Sequence, residues 1–300
     1  MATEAVGSAA TGHAEEPIVR LRHPGRWVAA AVLAVLAAMF VNFVATTEQL
    51  RLDLVMGYLF ERSIMRGLLV TIEVTVVAML VGVVLGTVLA IMRLSANPLL
   101  RGVAGGYVWL FRGTPILVQL LVWFFLGTVL PQISLGIPFG PEFVSVASNT
   151  LITQFVAAIL GLGLNEAAYM AEIVRAGISA VDRGQTEAAE ALGMSPMLTY
   201  RRIVLPQAAR VIVPPTANEV ISMLKLTSLC LVIGLPELLT TAQLIYGRNF
   251  QQIPLLIVAS VWYIVLTTIL TLIQGRIERR MSRGVLGAPV RRNRFAIGGR

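Results

Sequence analysis

Along this chain, apolar runs long enough to cross a bilayer alternate with polar links. Residues 27–47 form an almost uncharged run, about the length a helix needs to cross a hydrocarbon core of roughly 30 Å. Residues 67–92, 105–130, 143–174, 209–234 and 253–273 repeat the pattern, which predicts an all-α integral membrane protein with six spanning helices. A cleaved signal peptide is the competing reading of the first run. The run exceeds an h-region of roughly 7 to 15 residues, and Phe43 would sit three residues before the nearest alanine cleavage site, so a retained helix is expected.

The links carry their own signals. Residues 1–26 are polar and rich in small side chains, ending in Arg20, Arg22, His23 and Arg26, and are expected to be a disordered tail. Residues 48–66 mix charges with Leu50, Leu54, Val55, Tyr58, Leu59 and Phe60, as an amphipathic outer segment would. Pro115 is expected to kink the third crossing, and Pro214 with Pro215 to break the fifth near its inner end. The outer link at 131–142 is rich in proline and glycine and reads as turns, while Tyr246, Arg248 and Asn249 fall in a second outer loop. Residues 275–300 form a basic tail.

Composition sharpens this picture. With 56% hydrophobic and only 13% charged residues, and a mean hydropathy of +0.79, the chain is far from soluble domains, where roughly a quarter of residues are charged. The net charge of +8 would suit a nucleic-acid partner if it formed a stripe on a folded surface, but the arginines cluster in the tails and links. Both tails, Arg93, Arg101 and the arginines at 201–202 fall on one side of the predicted topology, against Arg51, Arg62, Arg66 and Arg248 on the other. The positive-inside tendency therefore puts both termini in the cytoplasm. The lone Cys230 excludes a disulfide framework or a cysteine metal site. No GxxxxGK loop is present, and the one lysine, Lys225, stands in an apolar run, so no nucleotide site is encoded.

Residues 184–206 form a polar, helix-forming insert between two greasy segments. Ala188, Ala189, Ala191 and Leu192 favour helix, and Gly193 supplies the left-handed residue that commonly closes one. Ser195 is placed to cap a second helix with Pro196 at its first position, and Pro206 to punctuate the far end. Glu187 and Glu190 share a face with the small Ala191, a surface suited to docking.

The whole insert resembles the EAA loop of permease subunits of ATP-binding-cassette (ABC) importers, matching at Glu187, Ala188, Ala189, Gly193, Ile203, Leu205 and Pro206. Arg112-Gly113-Thr114-Pro115, the run from Ala168 to Glu172 with Arg175 and Gly177, and Lys225 with Thr227-Ser228-Leu229 follow the order seen in the polar amino acid branch, which serves histidine, glutamine, glutamate, arginine and opines. The likeness covers 67–274, a core that has five crossings in the family, and leaves the first helix and both tails outside it. Leu226 and Ala176 depart from the branch, which often has asparagine and glycine there.

What the resemblance implies is an inner-membrane permease that encloses a path with a second copy or a sibling permease. Separate ATPase subunits holding ATP and magnesium would grip the elbows, and an extracytoplasmic binding protein would deliver the amino acid. This chain would bind no cofactor itself. The residues matching the EAA loop would carry coupling.

Polar groups inside the apolar runs are candidates for the path or for bonds between helices: Glu73, Gln119, Gln154, Asn165, Glu166, Glu172, Asn218, Glu219, Lys225, Thr227 and Ser228. Glu172 and Arg175, three apart, are expected to pair on one helix. Lys225 needs neutralisation or a carboxylate partner, for which Glu166 is a candidate, and a bundle holding both charge signs at depth is suited to a zwitterion. Thr114, Gln119, Glu166, Lys225, Thr227 and Ser228 are the path candidates. Two alternatives remain at this level. An ion-gradient secondary transporter would be expected to show two similar halves, and none is visible; a scaffold without transport would leave amino acid uptake unchanged when deleted.

Overall fold

The computed structural model describes residues 24–137 and 142–281. The amino-terminal tail up to residue 23, the tip of the outer link and the basic tail beyond 281 lie outside the described residues. Two compact units divide the chain at Leu50 and Arg51. The first contains α1 (Pro24–Thr46) and one 3-10 turn, Glu48–Leu50. Every side chain of α1 described from Gly25 to Asn42 is exposed, as expected of a helix whose apolar surface is meant for lipid or another protein.

The second unit begins with α2 (Leu52–Tyr58), followed by α3 (Arg62–Leu94), α4 (Pro98–Gly113), α5 (Ile116–Phe124) and the single turn α6 (Leu126–Val129). A hairpin of β1 (Gln132–Gly136) and β2 (Glu142–Ala147) leads through α7 (Ser148–Leu151) to α8 (Gln154–Ser179). Then come α9 (Arg183–Ala191), α10 (Pro196–Thr199), α11 (Leu205–Leu226), α12 (Leu238–Asn249) and α13 (Gln252–Met281). Among the described residues five helices are long and apolar enough to span, and a sixth crossing is counted if α4 and α5 are taken together.

Several expected boundaries move, each for a local reason. The third crossing is not a through-running kinked helix: α4 and α5 meet at 101° across Thr114 and Pro115. Both residues are extended (ψ 143° and 133°), and at Thr114 the cause is the proline ring, which disfavours the helical conformation in the residue before it. The outer link is not turns alone. Gln132 to Leu135 pair antiparallel with Ala147 to Val144, where Phe143 and the β-branched Val146 suit a strand. The fourth crossing accordingly starts at Gln154, behind Thr153, whose hydroxyl accepts from Val156 N at 3.3 Å. The second begins at Arg62, five residues earlier than expected, so the amphipathic segment folds partly as α2.

The fifth crossing shows no break at its two prolines. α11 runs through Pro214 and Pro215, leaving the carbonyls of Arg210 and Val211 without their i+4 donors. It ends instead at a 3-10 segment, Thr227–Ile233, closed by Gly234 at φ +71°. The second outer loop is mostly helix, α12.

The centre of the unit is the contact of α3 with α8. A methyl placed on Gly86 would lie 2.5 Å from Met170 Cβ and 2.8 Å from Ala167 O, and one on Gly82 would lie 2.5 Å from Glu166 Cγ. The two backbones therefore touch where only glycine fits, the device that lets membrane helices gain dispersion contacts in lipid. One buried cluster joins Val74, Ala78 and Met79 of α3 to Leu120, Ala157, Ala158, Leu162 and Met223. A second, at the end where α3 begins, joins Val55, Ile64 and Leu68 to Leu238, Leu255 and Val258. Replacing Gly86 by leucine is expected to lower the melting temperature of the detergent-solubilised protein, reflecting overpacking of about 1–3 kcal/mol. An unchanged melting curve would show that the helices have room to separate.

Candidate functional site

The elbow between α8 and α11 is built from local signals. Asp182 accepts from Gly184 N at 2.6 Å and starts α9. At the other end Gly193 takes φ +73°, with Gly193 N donating to Glu190 O at 2.9 Å and Met194 N to Ala189 O at 3.0 Å. That pair of bonds is the Schellman closure, satisfying carbonyls that a helix end otherwise leaves open. Nothing lies within 4 Å of a methyl built at Gly193, so conformation alone demands glycine there.

Ser195 caps α10, accepting from Leu198 N at 3.4 Å with Pro196 in the first turn, as its sequence signals. Pro206, however, does not end the second limb. A π-turn, Tyr200–Val204, carries α10 directly into α11. Leu205 N donates to Tyr200 O, five residues back, and this wider register accommodates a proline that has no donor of its own. The limbs are tied by Gln207, whose amide donates to Gln185 Oε1 and to Ile203 O at 2.9 Å. Ala189, Thr199 and Val204 are buried between them, and Ile203 is half-buried. Outward face Glu187, Ala188, Glu190, Ala191 and Leu192, the last 82% exposed, together with Met197, Leu205 and Pro206. The knob is thus a closed unit with a mixed acidic and apolar outer surface.

An apolar cavity of about 1300 Å³ opens beside the elbow, lined by Leu94, Met170, Met197, Tyr200, Ile212 and Ile277 among others. Its lining puts the elbow at the end of the bundle where α3 and α13 finish. At that end Glu172 accepts from Arg175 at 2.8 and 3.0 Å, the intrahelical pair expected, and also from Arg93 of α3, which locks α3 to α8. Arg112 stands over the Tyr169 ring at 5.1 Å.

The bend at Thr114-Pro115 is held by polar side chains. Pro115 cannot donate to Phe111 O, and that carbonyl instead receives Gln119 Nε2 and Asn165 Nδ2, each at 2.9 Å. The Gln119 amide also reaches Thr114 Oγ1 at 2.7 Å, and its oxygen accepts from Asn165 at 3.2 Å. Thr114 and Gln119 therefore shape a wall rather than present free groups. The next residue, Glu166, is buried beneath Gly82 with Oε1 lacking any partner, and the charge that bears on it is the half-buried carboxylate of Glu219 on α11.

The expected Lys225–Glu166 pair does not form. Lys225 and Ser228 line a separate cavity of about 280 Å³ with Leu239, Leu256, Ala259, Ser260 and Tyr263, on the α13 side. Lys225 and Glu219 stand six residues apart on α11, which turns the lysine away from the face that meets α8. The Thr227 hydroxyl is buried and donates to Leu224 O at 2.7 Å, and that of Ser228 to Lys225 O at 2.7 Å.

Glu237 escaped sequence reasoning because it was placed in an outer loop. It is fully buried and caps α12, accepting from Thr240 N (2.7 Å), Thr240 Oγ1 (2.9 Å), Tyr263 OH (2.8 Å) and Thr71 Oγ1 (3.3 Å). The readable signal was a carboxylate three residues before Thr240, directly after Pro236.

A set of hydrophobic spans, a bent membrane segment and a closed polar knob between two spans define a multi-span transport subunit. Residues 82–283 match the family of binding-protein-dependent transport system inner membrane components, and the chain belongs to that family. It is 48% identical over 272 residues to an arginine transport system permease protein of Corynebacterium glutamicum, covering 88% of this chain and 82% of the relative. An arginine transport system permease protein of Bacillus subtilis is 37% identical, covering 73% and 92%. Among solved structures, an amino acid ABC transporter with histidines aligns at TM-score 0.61 and 35% identity, covering 73% of this chain and 94% of that one. A methionine ABC transporter in an inward-facing conformation shares the fold at TM-score 0.56 and 21% identity. The protein is accordingly the permease component of an ABC importer, a multi-pass membrane subunit whose ATP is hydrolysed by separate ATPase subunits and whose cargo comes from a binding protein.

Replacing Gln119 by leucine removes the donor to the Thr114 carbonyl, which its Nε2 reaches at 3.1 Å, and to the Thr114 hydroxyl, and half-deprives Phe111 O. A loss of about 1–3 kcal/mol of stability is expected, read as a lower melting temperature in detergent; an unchanged value would show that the bend holds itself.

Proposed function

We propose that this permease imports a polar amino acid across the cytoplasmic membrane by alternating access, and that its substrate class is cationic. The two relatives named as arginine transport permeases support the class. So do Glu166 and Glu219, two carboxylates facing each other at depth with one oxygen unpaired, an environment that a guanidinium or ammonium would relieve. Glu166 is the central path residue in this reading, with Thr114 and Gln119 holding the wall beside it. Lys225, Thr227 and Ser228 stand outside that part of the path.

The observation that carries the coupling reading is the elbow: a tied, two-limbed knob continuous with α11 and joined to α8. Glu187 and Ala188 form the surface an ATP-binding cassette subunit grips, with Ala189 packed beneath it and Gly193 closing the helix, while Ile203, Leu205 and Pro206 fix the turn into the membrane. ATP and magnesium stay on that partner. The arginine-rich end at which α3 and α13 finish faces the cytoplasm, with both termini on that side and the hairpin toward the binding protein. A second permease copy completes the path. Residues 67–274 are the transporting core.

Two experiments test these assignments. Replacing Gly193 by valine costs about 1–2 kcal/mol in the left-handed region, and Glu187→Arg reverses the charge on the docking face. Either is expected to abolish co-purification of the ATPase while the permease remains inserted, and normal co-purification would overturn the coupling role. Glu166→Gln is expected to leave the complex assembled and to cut uptake of labelled arginine at least tenfold, roughly the worth of one charge-assisted contact; unchanged uptake would remove Glu166 from the path.

A further inference from the structure

The apolar cavity beside the elbow is a wedge of definite length. Its lining runs along α11 from Leu205 to Val220 and along α3 from Val83 to Ser95, with Met170, Val174 and Ile178 on one face of α8 between them. At roughly 1.5 Å per residue the two long walls measure about 22 and 18 Å. One leaflet of a bilayer, headgroups included, is about 20–22 Å thick.

The walls offer a polar solute nothing to bond. Thr87 donates to Val83 O at 2.7 Å and Thr216 to Ile212 O at 2.8 Å, so each hydroxyl spends its proton on its own helix. Neither Glu166 nor Glu219 lines the space, which separates it from the amino acid path. Its volume of about 1300 Å³ also exceeds the roughly 300–1,000 Å³ of a small-molecule pocket. The rims are apolar and open: Ile91 and Leu94 on one side, Met197 and Leu205 on the other, are 41% to 78% exposed. Apolar rims around an apolar slot mark a surface that lipid or another chain covers.

The elbow end of the wedge has different chemistry. Tyr200 lines it, and Arg201 and Arg202 follow directly, both exposed and neither in an ion pair among the described residues. On α13 the lining residue Ile277 stands between Arg276 and Arg280, also exposed. The carboxylate in that stretch, Glu278, already accepts from Gln274 Nε2 at 2.8 Å. A slot one leaflet deep, apolar along its length and cationic at its mouth, has the polarity of a single anionic lipid.

We propose that the wedge holds an acyl chain of an anionic phospholipid from the leaflet on the elbow side, with the lipid phosphate against Arg201 and Arg202. The chain fills the gap between the second limb of the elbow and α3, so the composition of that leaflet bears on how firmly the limb is held. This goes beyond the transport reading and does not depend on it.

The test uses the permease with its ATPase subunits, equilibrated in nanodiscs of equal parts phosphatidylglycerol and phosphatidylcholine, with the retained lipids read by native mass spectrometry. Phosphatidylglycerol is expected to be retained over phosphatidylcholine by about tenfold or more, the worth of two arginines near an anionic headgroup. The double variant R201Q/R202Q is expected to erase that preference while lipid is still retained. V213W, which fills the wedge, is expected to lower retention of both lipids by at least about tenfold. Should V213W fail to insert, the unaltered complex serves: dihexanoyl phosphatidylglycerol, whose chains reach only the mouth, is expected to bind at least about tenfold more weakly than the dioleoyl form. A benzophenone on Ile91→Cys, with the buried Cys230 left in place, is expected to crosslink to lipid. Equal binding of the short-chain and long-chain lipids, an unchanged headgroup preference in R201Q/R202Q, or crosslinks to the ATPase or to a second permease copy in place of lipid would each overturn the proposal.

Discussion

The close approach of α3 to α8 is the constraint on which the rest of the structure depends. In lipid, helices gain nothing from hiding apolar surface from water, so cohesion has to come from contact distance and hydrogen bonding. Gly82 and Gly86 bring α3 against Glu166, Ala167 and Met170, and the Arg93–Glu172–Arg175 triad fastens the same two helices at the elbow end. With that pair fixed, α5 and α11 pack on α8, α12 and α13 pack at the start of α3, and the elbow is held between α8 and α11.

Much of this was legible in the sequence. The spans follow from hydropathy, and the elbow from four local signals, Gly193, Ser195, Pro196 and the alanine run, each of which the structure uses as expected. What the sequence did not show were the answers to its own prolines. Pro115 reads as a kink, yet the 101° bend is settled by Gln119 and Asn165, which supply the donors that the proline withholds; Asn165 is 46 residues from Gln119, beyond any local pattern. Pro206 reads as a stop, yet a π-turn absorbs it. Pro214 and Pro215 read as a break, yet the helix tolerates them.

The charged residues divide in the same way. Glu172 with Arg175 is a contact within one helix and could be inferred from spacing. That Lys225 does not meet Glu166 could not, because it depends on which side of α11 meets α8 and which meets α13. Glu237 was hidden for the complementary reason: nothing in its neighbourhood reveals that Thr71, 166 residues earlier, supplies one of its donors.

The π-turn at Tyr200–Val204 has a mechanical corollary. Since it joins the second limb to α11 without a hinge, residues 196–233 form a single rod of 38 residues, roughly 55 Å long at about 1.5 Å of rise per residue. A lever of that length is geared for amplification: tipping its elbow-end foot by about 5° would sweep the opposite tip through about 5 Å, close to one full helical pitch.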